Sequence, residues 1–256
     1  MAVAGIEYGK DIFVEVPISL SGKEAKEIFE KAEKNKKIVA VGLWHRLRED
    51  VELLKTFVGK RELGEIFYAR AGWLRSFEEW PLTGWRRDKI TAGGGVFLSI
   101  ASLVLDFSLY ITGDKKPVSI LGTGFKRDKE LPFEDTAFAL LKFPQGFLLS
   151  VEVGWHPAKK DILYFNLYGA KGTGRLFPLE IYKEIYGRLS NVTPGLPALK
   201  QIYMNAFKKQ MKIFIDSVIN RKPYPLSAET VLNICSIVDG FYRSWEEKKE
   251  IDISSY

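Results

Sequence analysis

The sequence predicts a small parallel α/β piece followed by a larger sheet with helices packed on it, α/β and then α+β in class. Two observations carry this. The first fifty-odd residues alternate short apolar strands with amphipathic helical spacing, whereas from Glu65 onward strand-like runs follow one another across short turns.

The elements follow in order. AVAGIEYGK reads as the last turns of a helix, and DIFVEV (11–16) is a β-rich run between Gly9 and Pro17. Ser21 with Glu24 forms a capping box, behind which Ala25, Ile28, Phe29 and Ala32 repeat at helical spacing. IVAVGL (38–43) is a continuously apolar strand, followed by a helix near 48–58. Strand, crossover helix and strand imply a parallel pair with a right-handed connection. Two strands alone are too few for a free-standing parallel sheet, so another chain or further sequence is expected to cover the open edge.

The second part contains EIFYARAGWLR, VSILGTGFKR, DTAFALLKF, GFLLSVEVGW and ILYFNLYGA, rich in aromatic and β-branched residues. A helix at about 97–112, apolar on nearly every side, interrupts the series, and Gly93, Gly94 and Gly95 lead into it. The tail returns to helix at about 197–220 and again from Ser227, with Val231, Ile234, Cys235, Val238, Tyr242 and Trp245 on one face.

A length of 256 residues, 46% hydrophobic and 27% charged, is in the ordinary globular range and suffices for a substantial core. No uninterrupted apolar run is long enough for a membrane span, and the N-terminus lacks signal-peptide order. One cysteine excludes an intrachain disulfide, so a cytoplasmic protein is expected. The net charge of +6 comes from lysines interleaved with glutamates, as in KEAKEIFEKAEKNKK. That pattern makes an ion-paired helix face, so neither nucleic acid nor membrane is expected as a partner. Abundant Lys and Glu give a thermophile-like composition.

Chemical motifs are sparse. The chain has no G-x-G-x-x-G between a strand and its helix, no P-loop and no G-x-S-x-G elbow. Two histidines, His45 and His156, with no carboxylate cluster at ligand spacing, predict no metal site. Cys235 on an apolar helix face reads as a buried small hydrophobe.

Several consecutive blocks nevertheless carry a resemblance: VEVPISLSGKEAKEIFEKAEKNKKIVAVGLWHRL, GELGEIFYARAGW, WRRDKITAGGGVFLSIASLVLDFSLYITG, FEDTAFALLKFPQGFLLSVEVGW, LYGAKGTGRL and PYPLSAETVLNICSIVDGFYRSWEEKKEIDI. The ordered series, from about residue 2 to 253, resembles the Gfo/Idh/MocA family of glucose-fructose oxidoreductases and inositol dehydrogenases. The resemblance implies a remnant of a Rossmann-type domain over 1–60, with the dinucleotide-binding half lying before the chain begins. It implies a mostly antiparallel, open-faced sheet domain over 61–256, with closing helices 197–220 and 227–247. It also implies NAD(P)-linked hydride transfer on sugars or polyols and a homo-oligomer formed through the open sheet face.

The departures from the family pattern concern proton transfer. By family position Glu15 and Pro17 belong to the cofactor side, and the lysine between them is Val16. The aspartate of the family helix motif falls on Ser99, and the histidine one turn later on Leu103. Hydride removal from an alcohol needs a base for the hydroxyl proton, and valine and leucine cannot titrate. No catalytic residue is therefore assigned, and the isolated chain is expected to bind no dinucleotide.

Arg46, Trp85, Arg86, Arg87, Gly94, Gly95 and Ser99 remain ligand-binding candidates. An arginine can present a bidentate donor and Trp85 can stack on a sugar face. Bland readings stand beside these: a surface Trp–Arg clamp, a glycine entry to the helix, and a structural hydrogen-bonding role for Asp106. Two functions stay open. One is an oxidoreductase homologue without independent dehydrogenase activity, its nucleotide domain lost or supplied by a separate dinucleotide-binding chain. The other is a non-catalytic module (a pseudoenzyme) that binds a small ligand or a protein.

Overall fold

The computed structural model describes residues 1–76, 83–156 and 160–254. Helix α1 (Ala2–Glu7) leads into β1 (Ile12–Val14), α2 (Gly22–Lys34) and β2 (Val39–Val41). The two strands pair in parallel, Ile12 opposite Val39, and among the described residues β1 has β2 as its only neighbour. Ser21 caps α2 by accepting the Glu24 amide at 3.3 Å, and the Glu24 carboxylate reaches back to the Leu20 amide at 3.1 Å. Ala25, Ile28 and Ala32 are its buried residues, as the spacing predicts.

A 3₁₀ turn (Trp44–Leu47) and α3 (Glu49–Gly59) connect to β3 (Ile66–Ser76). After it come the turn Gly84–Arg87, the one-turn helix α4 (Lys89–Ala92), a π turn (Phe97–Ala101) and α5 (Ser102–Thr112). Then follow β4 (Ser119–Phe125), β5 (Thr136–Lys142), β6 (Leu148–His156), β7 (Ile162–Gly169), β8 (Gly172–Leu176), β9 (Glu180–Ile185) and β10 (Arg188–Asn191). Helices α6 (Leu199–Asn220) and α7 (Ala228–Glu247) and strand β11 (Ile251–Asp252) close the chain.

The second sheet has nine strands in the order β10-β9-β8-β7-β3-β6-β5-β4-β11. Only β3 and β6 run parallel; every other pair is antiparallel. One face is core: Ala69, Ala71, Ala137, Leu141, Leu149, Val153, Phe165 and Leu167 are all fully buried. The opposite face carries Tyr68, Arg70, Phe138, Glu152 and Tyr164, half-buried or exposed. Alternation along these strands separates the two faces, interrupted in β6 where Val153, Gly154 and Trp155 are buried in succession.

Helix α5 lies in the core, with Val104, Leu105, Asp106, Phe107 and Ser108 fully buried. The stretch Lys89–Thr112 is long and apolar enough to cross a membrane by composition, yet 83% of its most apolar window is buried inside the protein. Its hydroxyls are satisfied by their own helix, Ser102 and Ser108 donating to the carbonyls of Leu98 at 3.0 Å and Val104 at 2.6 Å. Helix α7 packs on β4 where Gly122 makes room for the Phe241 ring; a Cβ there would come within 2.5 Å of it. One apolar core runs from Ile6 to Ile253, continuous across residue 60.

Candidate functional site

The strand end at Glu15, Val16 and Pro17 faces the start of the buried helix. Gly42 lets the Glu15 side chain lie across the end of β2; a Cβ there would sit 2.2 Å from Glu15 Oε2. Burial raises the Glu15 pKa. Val16 is half-buried and packs against the core. With Pro17, Leu98, Ser102, Cys235 and Val238 it lines a cavity of about 20 Å³, room for roughly one water. Burial pushes the Cys235 thiol up to about 12, with the Asp239 charge adding to the effect, so it stays protonated at neutral pH.

The glycine triplet is filled from within. Gly93, at φ +74°, lies against Leu20, and Gly94 lies against the Tyr242 hydroxyl. A Cβ on Gly95 would meet the Glu134 carbonyl oxygen at 2.1 Å and its Oε2 at 2.5 Å. Glu134 is fully buried, and its Oε1 accepts the Phe97 amide and the Tyr242 hydroxyl, each at 2.9 Å. The Gly95 amide donates to Tyr242 Oη at 3.0 Å, and Val96 N–H donates to the Glu134 carbonyl at 3.1 Å. An internal carboxylate thus caps the N-terminus of the buried helix, where the dipole favours negative charge. Burial raises the pKa of both Glu134 and Tyr242.

Two candidates on the helix are engaged locally. Ser99 donates its hydroxyl proton to the Gly95 carbonyl at 3.0 Å, and Leu103 is a half-buried apolar side chain packed on the core. Neither offers a base.

Arg46, read from sequence as a candidate ligand arginine, is turned to Asp106. Its Nε lies 3.0 and 3.1 Å from the two carboxylate oxygens, and its terminal nitrogen makes a further short contact to the same group. The guanidinium also stacks on Tyr110, 4.7 Å from the ring centre, and lies 3.6 Å from Asp114. Burial pushes the Asp106 carboxyl up to about 6 against the pull of Arg46. The structural role expected for Asp106 thus takes the arginine with it.

His45 is fully buried in an aromatic nest, stacked on Trp44 at 3.8 Å and edge-on to Trp73 at 5.5 Å. Neither ring nitrogen has a hydrogen-bond partner among the described residues. Burial holds its pKa well below 6.5, with Arg48 and Arg75 adding to the depression. Arg48, which sequence reasoning passed over, is fully buried between the Phe177 and Tyr203 rings and pairs with Asp50 at 2.9 and 2.6 Å.

The Trp–Arg segment is the exposed part of the set. Trp85 is 63% exposed, with the Arg86 guanidinium 5.7 Å from its ring. Arg87 lies 3.5 Å from Asp128 and 3.6 Å from Glu130. These residues sit on the turn before α4, apart from the buried Arg46–Asp106 pair. Glu134 and Tyr242 were also missed from sequence. The local signal for Glu134 was an acidic residue directly after the apolar Phe133; its approach to the glycine run comes only from the fold.

The geometry invites comparison with known proteins. Residues 51–175 match the family model of the GFO/IDH/MocA C-terminal domain. The chain is similar to the D-glucoside 3-dehydrogenase of Escherichia coli (strain K12), 24% identical over 266 residues, covering 97% of this chain and 74% of that protein. It is 27% identical over 198 residues to the levoglucosan dehydrogenase of Pseudarthrobacter phenanthrenivorans, covering 68% of this chain and 50% of the relative. The solved structure of levoglucosan dehydrogenase in complex with NADH shares the fold, with a TM-score of 0.85, 19% identity, and coverage of 100% of this chain and 76% of that one. The chain therefore matches the GFO/IDH/MocA C-terminal domain over residues 51–175, and the two relatives named here are a glucoside and a levoglucosan dehydrogenase.

Proposed function

We propose that this chain is a GFO/IDH/MocA-type oxidoreductase homologue that binds a small sugar or polyol and does not by itself carry out NAD(P)-dependent dehydrogenation. The observation that carries the reading is the state of the three positions where the family pattern calls for proton-transfer groups. Val16 and Leu103 are apolar and packed, and the Ser99 hydroxyl is committed to the Gly95 carbonyl. Alcohol oxidation leaves a proton to be taken up as the hydride departs, and none of the three can accept it at neutral pH.

NADH is bound in the solved levoglucosan dehydrogenase. The residues present here do not fit a dinucleotide. The 256 residues hold no glycine-rich pyrophosphate fingerprint between a strand and its helix. The cavity beside Val16 and Pro17 has a volume of about 20 Å³, too small for a nicotinamide ring. No step is derived through the cofactor. A separate dinucleotide-binding chain pairing with the open edge of β1 belongs to the same proposal, and it would restore the cradle without restoring the base.

Sugar recognition falls to the exposed segment. Trp85 is largely exposed with the Arg86 guanidinium over its ring, a pairing of indole and guanidinium that suits stacking on a pyranose ring and donating to vicinal hydroxyls. The test has two arms on the purified chain. Calorimetry with levoglucosan and a methyl glucoside is expected to show binding that Trp85→Ala weakens about tenfold, a loss near 1.4 kcal/mol. Fluorescence titration with NADH and NADPH is expected to show no micromolar binding. Steady nicotinamide reduction by this chain alone with either sugar overturns the proposal.

A further inference from the structure

We propose that the concavity at the end of the sheet remote from the glycine triplet is a binding site for a phosphate-bearing ligand. The hollow has a volume of about 890 Å³ and forms where four separated stretches of chain meet. Lys55 comes from α3, Arg61 from the loop after it, Lys115 from the segment after α5, and Lys171 from the β7–β8 turn. Glu65 is the one acidic residue in its lining.

Their gathering in one hollow with a single acidic neighbour sets these four apart. Some basic side chains are matched, as in Lys31–Glu7 at 2.6 Å, Lys183–Glu62 at 2.8 Å and Lys209–Glu52 at 2.6 Å, and many others on the open surface are not. Among the described residues, Lys55, Arg61, Lys115 and Lys171 enter no ion pair. Lys55 is half-buried with its Nζ over the Tyr110 ring, 3.3 Å from the centroid, and Lys115 lies 5.7 Å from the Phe147 ring centre. Burial lowers the Lys55 pKa, which an arriving anion would reverse.

The wall is also shaped for the purpose. Gly64 adopts φ +77°, and a Cβ on it would lie 2.8 Å from the Lys171 backbone nitrogen. The bare glycine therefore lets the loop carrying Arg61 close onto the turn carrying Lys171, which brings cations from two sides of the hollow together. Like charges gathered in a concavity repel one another and focus a positive potential into it; a polyanion relieves the repulsion. The C-termini of α3 and α5 also point their negative ends toward this region, which gives a purely structural use for nearby cations.

Calorimetric titration separates the two uses. Inorganic pyrophosphate and glucose 6-phosphate are titrated into the full chain and into Lys55→Ala and Lys171→Glu, at low and moderate salt. Pyrophosphate is expected to bind, with affinity falling as salt rises and dropping about tenfold or more in Lys171→Glu, while urea midpoints of both variants stay near wild type. Binding of both ligands supports a site that reads a single phosphate; binding of pyrophosphate alone supports one that needs a diphosphate. Absence of pyrophosphate binding at millimolar concentration overturns the proposal. So does binding that both variants keep unchanged, or that sulfate at matched ionic strength abolishes as readily. Variants that lose stability with no pyrophosphate effect in wild type leave the cations their helix-end role alone, which also overturns it.

Discussion

His45 carries a cost that depends on pH. Its ring is enclosed by aromatics with no partner for either nitrogen among the described residues, so the folded state admits the neutral imidazole and resists the charged one. Above the unfolded value of 6.5 both states are neutral and the residue contributes nothing to pH dependence. As pH falls below 6.5 the unfolded chain takes up a proton that the folded chain refuses, so stability drops, by at most about 1.4 kcal/mol per pH unit. Asp106 acts in the opposite sense. Its carboxyl is raised from 3.8 to about 6, so between those values the folded state holds more protons and gains stability on acidification. His45→Phe removes the first effect and keeps the second. Urea midpoints at pH 7.5 and pH 5 are expected to show the variant gaining about 1–2 kcal/mol on wild type across that interval. Parallel curves for the two proteins would rule the account out.

The same scale shows what a sequence conceals. The loss of titratable groups at Val16, Ser99 and Leu103 is a matter of residue identity and can be read directly. The commitment of Arg46 to Asp106 is not, because the partner stands sixty positions away and only the fold brings the two within 3.0 Å. An arginine beside a histidine reads equally well as a ligand clamp or as half of a buried pair.

Among the elements, the buried helix shows how a glycine run can serve packing. Each glycine of the triplet admits a different neighbour: Leu20, Tyr242 and Glu134. Gly95→Ala places a methyl against the Glu134 backbone carbonyl, which cannot swing away as a side-chain tip would. A loss of about 1–3 kcal/mol is expected from overpacking, read as a lowered urea midpoint. Glu134→Ala leaves the Phe97 amide without its acceptor and is expected to cost about as much. A wild-type midpoint in either variant would refute the capping role. Periodicity revealed α2, the 97–112 helix, α6, α7 and the strands from β3 to β7, because each has a sustained apolar face. It did not reveal β8, β9 and β10. GTGRL, EIYKEI and RLSN are short, and the last two mix charge with apolar residues at the exposed margin of the sheet, where burial imposes no pattern.

At the scale of the whole molecule, the chain changes from a parallel pair to a long mixed sheet, and the order of its segments anticipated that change. Strand order was hidden: β3 sits between β6 and β7, a non-local arrangement that no local signal encodes. The uncovered sheet face is the larger consequence. Leu121, Phe125 and Phe138 are 48%, 63% and 45% exposed, and Arg70 and Glu152 share that face. We propose that a second copy of the chain covers it, since an exposed apolar patch flanked by Arg70 and Glu152, charges of both signs, suits a self-complementary interface. Light scattering is expected to give a dimer or larger species, and Phe138→Glu to shift it toward monomer without unfolding. A monomeric wild type at micromolar concentration would dispose of the idea.

The Glu134 cap has a last implication for how this protein meets its surroundings. Soaking crystals in halide or sulfate ought to leave the amides ahead of Phe97 untouched, for the polypeptide brought its own counter-charge to that spot while folding. Whatever guest the molecule receives must be greeted elsewhere on its surface.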